Sequence, residues 1–266
     1  MMGFFQWVGG WFLGKVHNIL SFCGYFFLVF KTMVLSTFGV WTSSYRTSVK
    51  IVSRQILFTG VQALPVISLV SLAIGAIAII QSLTILPRFG GEAFIGNILV
   101  TVIVRELGPI LTAFIVIGRS GTAITTEIGN MMVSHEIEAL ESMGIDPIRY
   151  IVIPRVLGVT ASMVALNVYF ALFSILGGFL VTKLVLVTSF HIFMDRILET
   201  MLASDIVISL SKGIIFGILL SLICTFHGFL VRGSSTEVPQ MTTRAVVSAI
   251  TALFLADGVI TFIYYL

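Results

Sequence analysis

The sequence predicts an all-α integral membrane protein: helices lying in the membrane interface at the N-terminus, then five helices crossing the bilayer. Three observations carry this prediction. Of 266 residues, 58% are hydrophobic and only 10% charged, whereas a soluble domain carries about 25% charged residues. The mean hydropathy is +1.11, more apolar surface than one soluble core hides. The few charges also punctuate the chain at spanning intervals. None lies between Arg54 and Arg88, between Arg155 and Lys183, or between Lys212 and Arg232. Each gap can cross about 30 Å of hydrocarbon at about 1.5 Å per residue.

The elements follow in order. Residues 1–48 are read as the membrane-interface region. The stretch "GFFQWVGGWFLGKVHNILSFCGYFFLVF" is apolar but broken by Lys15, and Lys31 follows it. The uncharged runs on either side of Lys31 are about 15 residues each, short for a span. Trp7, Trp11 and Lys15 recur every four residues, so two indoles and an amine share a face, and indoles favour the headgroup level. Residues 3–45 are therefore read as interfacial helices; a sixth span through 16–41 is the rival reading. Residues 49–266 hold the five spans: three in the uncharged gaps, one over 93–118 with Arg105 and Glu106, and one over 245–265 with Asp257.

Lys and Arg in short loops set orientation. Lys15, Lys31, Arg46, Lys50 and Arg54 precede the first span, Arg119, Arg149 and Arg155 flank the second loop, and Arg232 and Arg244 flank the fourth. The opposite side holds Arg88, Lys183, Arg196 and Lys212, diluted by Glu92, Asp195, Glu199 and Asp205. The N-terminus is thus expected in the cytoplasm and the C-terminus outside. The first basic residue, Lys15, follows the first apolar stretch, so no cleavable signal peptide is expected, and the Arg- and Ser-rich character of a transit peptide is lacking.

Several chemistries are disfavoured. The net charge of +3 reads as topology, with no nucleic-acid partner. Cys23 and Cys224 stand alone in apolar surroundings, with neither metal spacing nor a disulfide framework. The stretch "GGWFLGKV" matches a phosphate loop except at Val16, where magnesium binding needs Ser or Thr. No hydrolase or metalloprotease motif is present, so no catalytic residue, metal or cofactor is assigned to this chain.

Three constellations point to function. In "TVIVRELGPILTAF" Arg105 and Glu106 stand mid-span, where a charge costs several kcal/mol and faces protein or water. Pro109 withholds an N–H from the carbonyl four residues back, and Gly108 loosens the same turn, so a kink is expected. Asp257 lies 13 residues past Arg244 and Arg105 lies 14 before Arg119, about 20 and 21 Å up their helices. That common depth suggests an Arg105–Asp257 pair, either a packing device or a polar spot in a substrate cavity. Second, "VSHEIEALESMGIDPIRYIVIPR" reads as a short cytoplasmic helix over 134–143, capped by Ser134 and ended by Gly144, with Asp146 capping the next helix. It either tucks onto the bundle or docks a partner. Third, "GRSGTA" and the Gly213/Gly217 pair suit close helix approach.

The stretches "RELGPILTAFIVIGRSGTAITTEIGNM", "EIEALESMGIDPIRYIVIPRVL" and "TTRAVVSAITALFLADGVIT" resemble the MlaE (YrbE-type) permease family from about residue 50 to the C-terminus. The resemblance implies a homodimeric membrane subunit of an ABC transporter moving phospholipids between membranes. Its partners would be a cytoplasmic ATPase dimer, which binds the ATP and Mg, and a periplasmic MCE-domain lipid-binding protein. It also implies a lipid cavity lined by Gln81, Ile85, Leu86, Phe89, Arg105, Glu106 and Leu107. The 134–143 helix would be the coupling helix, presenting Ser134, Glu136, Ile137, Glu138, Leu140, Glu141 and Met143 to the ATPase. Gly108, Pro109, Arg244 and Asp257 would be structural or gating residues. With no transit peptide, a bacterial inner membrane is expected. The family's Gly-rich loop reads "VRGSSTEVPQMTTR" here, a departure from the pattern. The competing readings are a non-transporting membrane scaffold and an ion-coupled carrier using Asp257 and Glu106, although no internal repeat, common in carriers, is visible.

Overall fold

The computed structural model describes residues 21–22, 24–29, 31–32, 45–85, 99–186 and 190–266, and every regular element among them is helical. Among the described residues five helices are long and apolar enough to cross a membrane: Val49–Leu83, Val100–Val133, Ile148–Val185, Ala203–Phe229 and Glu237–Tyr264, here spans one to five.

Span one is not continuous. The helix Tyr45–Thr59, which carries Lys50 and Arg54, is joined to Leu64–Ile85 by a 3-10 turn at Val61–Ala63. Pro65 fits just past this turn because the first N–H groups of a helix have no intrahelical acceptor. The 22 residues of Leu64–Ile85 rise about 33 Å, enough for the hydrocarbon alone. The apolar gap after Arg54 therefore contains a helix break that its composition does not reveal.

Packing fixes the directions of the spans. Contacts climb together along spans one and three: Gly60 meets Ser162, Ser68 meets Tyr169, Gly75 meets Ser174. These spans are parallel. Spans two and four are parallel by the same test, through Arg105 with Asp205 and Thr125 with Cys224. Span five runs against span two, pairing Phe114 with Phe254 and Thr126 with Thr242. Asn167 with Ser209 and Thr160 with Gly217 set spans three and four antiparallel. The directions alternate, so span one begins and span five ends at opposite faces. The end where span two finishes and span three starts is called the connector end below, the other the far end.

The tightest helix approach lies between spans one and three, where a Cβ on Gly75 would run into the Ser174 carbonyl and one on Gly177 into that of Leu72. Of the small residues singled out in the sequence, Gly121 and Gly217 are close-packed, with a Cβ meeting Cys224 Sγ at 2.9 Å and Thr160 Cα at 2.7 Å. Gly118 faces open space and Gly213 has only ordinary contacts, so the spacing pattern overstated those two. Phe170, Met163, Phe216 and Ile103 fill the core between the spans.

The N-terminal residues pack across the connector end. Val29 joins Val152, Val156 and Leu222, the Phe22 ring meets Phe226 edge to face and the Tyr25 ring lies tilted against it, and Tyr25 donates a hydrogen bond to Thr225 at 2.9 Å. Burial pushes the Tyr25 phenol above the ordinary tyrosine range, keeping it a neutral donor. Trp7, Trp11, Lys15 and Cys23 lie outside the described residues, as does most of 16–41.

Candidate functional site

Span two enters at the far end as a π-helix, Leu99–Leu107, and becomes α-helical at Gly108–Val116. The wider winding suits the sequence. Pro109 has no N–H for the carbonyl of Arg105 in an α register, whereas the fifth residue on, Ile110, has one. The expected irregularity at Gly108–Pro109 is thus a change of helical register. Both residues are buried, and a Cβ on Gly108 would crowd the Ile103 carbonyl at 3.0 Å and Asn167 at 3.2 Å.

Arg105 and Glu106 point in different directions, and each has its own partners. Arg105 Nε donates to Asp205 Oδ1, and Nη2 donates to the Tyr264 hydroxyl at 2.7 Å. The guanidinium also lies over the Tyr264 ring, 4.7 Å from its centroid. Asp205 Oδ2 accepts the Leu202 N–H at 2.9 Å, so one carboxylate both neutralises Arg105 and caps span four. Glu106 Oε2 accepts from Lys212 Nζ at 2.6 Å, and that amine also lies 2.7 Å from Asp257 Oδ1 and donates to Thr261 at 3.0 Å. Two cations and three carboxylates thereby join spans two, four and five.

This arrangement corrects the sequence reading. Asp257 pairs with Lys212 and Arg105 with Asp205; equal depth did not make Arg105 and Asp257 partners. Lys212, read as a charge flanking span four, is 0% exposed inside it. A buried ion is tolerated only when paired and hydrogen-bonded, which Lys212 achieves by donating to Glu106 and Thr261 with Asp257 as a second counter-charge. Lys212, Asp205, Thr261 and Tyr264 are the members of this network that the sequence reading did not assign to it. A signal was present: Asp205, Ser209 and Lys212 recur at i, i+4 and i+7, a polar stripe on an apolar helix. All three are buried.

The network is closed on one side and open on the other. Lys212 sits behind it, while the Glu106 side chain keeps 31% of its surface. Leu107 is half-buried beside it. Gln81 is exposed in the last turns of span one, Ile85 ends the same helix, and Leu86 and Phe89 lie outside the described residues. Arg244 is exposed near the connector end, against Met241, and takes no part in the network.

A family model described as "Permease MlaE" matches residues 52–263. A probable ABC transporter permease protein of Rickettsia prowazekii is 31% identical over 215 residues, covering 81% of this chain and 83% of its own. The intermembrane phospholipid transport system permease protein MlaE of Haemophilus influenzae is 33% identical over 215 residues, covering 80% and 82%. The chloroplastic protein TRIGALACTOSYLDIACYLGLYCEROL 1 of Arabidopsis thaliana is 31% identical, covering 80% and 61%. The chain belongs to the MlaE permease family.

At the connector end of this MlaE-family permease the short helix is Glu136–Ser142. It starts two residues later than its sequence suggested. The Ser134 N–H closes span two on the Asn130 carbonyl, and His135, left-handed at φ 58°, makes the turn. Gly144, at φ 74°, ends the helix, and the Asp146 carboxylate accepts the Ile148 N–H at 2.9 Å, both as the sequence indicated. Ile137 is buried against the bundle and Leu140 half-buried, whereas Ser134, Glu136, Glu138, Glu141 and Met143 are exposed. Met143 keeps 66% of its surface, a free apolar anchor on a charged helix.

Proposed function

We propose that this chain is the membrane-spanning permease of an ABC transporter that moves phospholipids between inner and outer membranes, working as a homodimer in a bacterial inner membrane. The observation that carries the reading is the MlaE family match across residues 52–263. The printed name of the Haemophilus influenzae relative supplies the substrate class. In this reading the N-terminus is cytoplasmic and the C-terminus periplasmic. The connector helix seats in a cytoplasmic ATPase dimer that binds ATP and Mg, and the far end faces a periplasmic MCE-domain protein.

The geometry supports this division of labour. The far end offers a partly exposed carboxylate, Glu106, backed by a rigid ion network, as a polar contact for a headgroup. The connector end offers Met143 and three exposed glutamates on a short helix. An ion-coupled carrier would need Glu106 and Asp257 free to exchange their ion, and Lys212 holds both. The test is reconstitution of the chain with its co-purified ATPase in vesicles containing labelled phospholipid. Label should reach an acceptor only with ATP. Transfer without ATP or ATPase would favour the carrier. The absence of any transfer, with partners still bound, would favour the scaffold.

A further inference from the structure

The connector end also contains an open cavity of about 630 Å³, lined by helix Tyr45–Thr59, the last turns of span two and the first turns of span three. That volume is typical of a small-molecule site, about 300–1,000 Å³. Arg54, Arg155, Glu127 and Asn130 contribute polar walls, and Phe58 and Ile124 apolar ones.

The charges do not balance. Arg155 is 7% exposed. Its Nη2 donates to Glu127 Oε1 at 2.8 Å, while its buried Nη1 has no hydrogen-bond partner. Arg54 is exposed and makes no ion pair among the described residues. Two guanidiniums thus line the cavity with one carboxylate, leaving a formal excess of one positive charge. A guanidinium fork matches phosphate oxygens in both geometry and charge.

Depth narrows the ligand. Span two has 34 residues, about 51 Å, so centring it on about 30 Å of hydrocarbon leaves roughly 10 Å at each end. Glu127 lies six residues before Val133 and Arg155 seven after Ile148, about 9 and 10 Å inside their helix ends. The pair therefore stands at the hydrocarbon boundary, where lipid phosphates meet acyl chains.

We propose that this cavity binds the phosphodiester headgroup of a phospholipid from the leaflet at the connector end. Arg54 takes the phosphate, the buried Arg155 adds its charge from behind Glu127, Glu127 takes the donor end of the headgroup, and Phe58 and Ile124 line the path to the acyl chains. The site is separate from the far-end network. Its test reads binding, so it stands or falls apart from transport.

The experiment places a photoreactive p-benzoylphenylalanine at position 58 of the full-length chain in membranes carrying radiolabelled phospholipid. Leu172, 61% exposed on the apolar face of span three, carries the same group as the lipid-facing control. Position 58 should capture several-fold more lipid than the control. Arg54→Gln should cut that capture about tenfold, the loss of one charge-assisted hydrogen bond. Because Arg54 is exposed, this variant should keep its melting temperature, which separates lost binding from misfolding. Arg155→Gln serves as the second variant. Capture at the control level, or capture unmoved by either substitution, overturns the proposal. Capture abolished by excess inorganic phosphate assigns the site to free phosphate and overturns the lipid as its source.

Discussion

The two ends of the bundle treat buried arginine in opposite ways. At the far end Arg105 is satisfied by Asp205, the Tyr264 hydroxyl and the Tyr264 ring, and Lys212 by three oxygens. At the connector end Arg155 has one carboxylate, itself 63% exposed, and a cavity beside it. The difference lies in what each charge is for. A network that pairs both of its cations with carboxylates holds helices in register. An exposed guanidinium beside a cavity, as Arg54 is, with no ion pair among the described residues, is arranged for something that arrives.

The largest effect that would break this comparison is expected from Lys212→Met. It strands Glu106 and Asp257 without a cation, and removing one partner of a buried pair costs about 3–5 kcal/mol. The melting temperature in mild detergent should fall by many degrees, and an unchanged value would mean that the network does not hold the helices. Next comes a double-mutant cycle. Arg105→Gln with Asp205→Asn should show a coupling of roughly 1–3 kcal/mol, and Arg105→Gln with Asp257→Asn less than about 0.5. The reverse order would restore the pairing inferred from depth alone.

Glu127→Gln should cost only about 1 kcal/mol, because the carboxylate is mostly exposed and the amide oxygen still accepts from Arg155. A loss as large as that at Lys212 would erase the distinction between the two ends. The smallest effect on stability is expected from Met143→Glu, within about 0.5 kcal/mol for an exposed position. Co-purification of the ATPase should nevertheless collapse. Retention of the ATPase would remove the connector helix from the docking surface.

Much of the fold was legible in advance. Arg54, Arg155, Lys183 and Arg232 marked span limits because charges are expelled from hydrocarbon. Gly144 and Asp146 marked a helix stop and start because only certain residues fit those backbone positions. The site was legible in half. Arg105, Glu106 and Asp257 drew attention as charges inside apolar runs, whereas Lys212 and Asp205 hid near the start of a run and passed for loop residues. Their stripe with Ser209 was visible, but a polar stripe does not name its partners. The break at Val61–Ala63 and the helix Phe190–Thr200 were also illegible, the first lying in an uninterrupted apolar run and the second reading as a charged loop.

The sequence by itself determined that this protein lives in a membrane, where the five spans among the described residues lie, and where the connector between spans two and three turns. Those follow from the transfer free energy of side chains and from local backbone preference, which each segment carries alone. Only the tertiary structure decided which charges meet. Depth along a helix can be counted from sequence, but the rotation of each span and the neighbour it chooses are set by packing. Glycines such as Gly75 and Gly177 let spans one and three touch, and that contact helps to fix the remaining spans. Arg105 therefore faces Asp205, Lys212 takes both remaining acids, and Arg155 is left beside an open cavity.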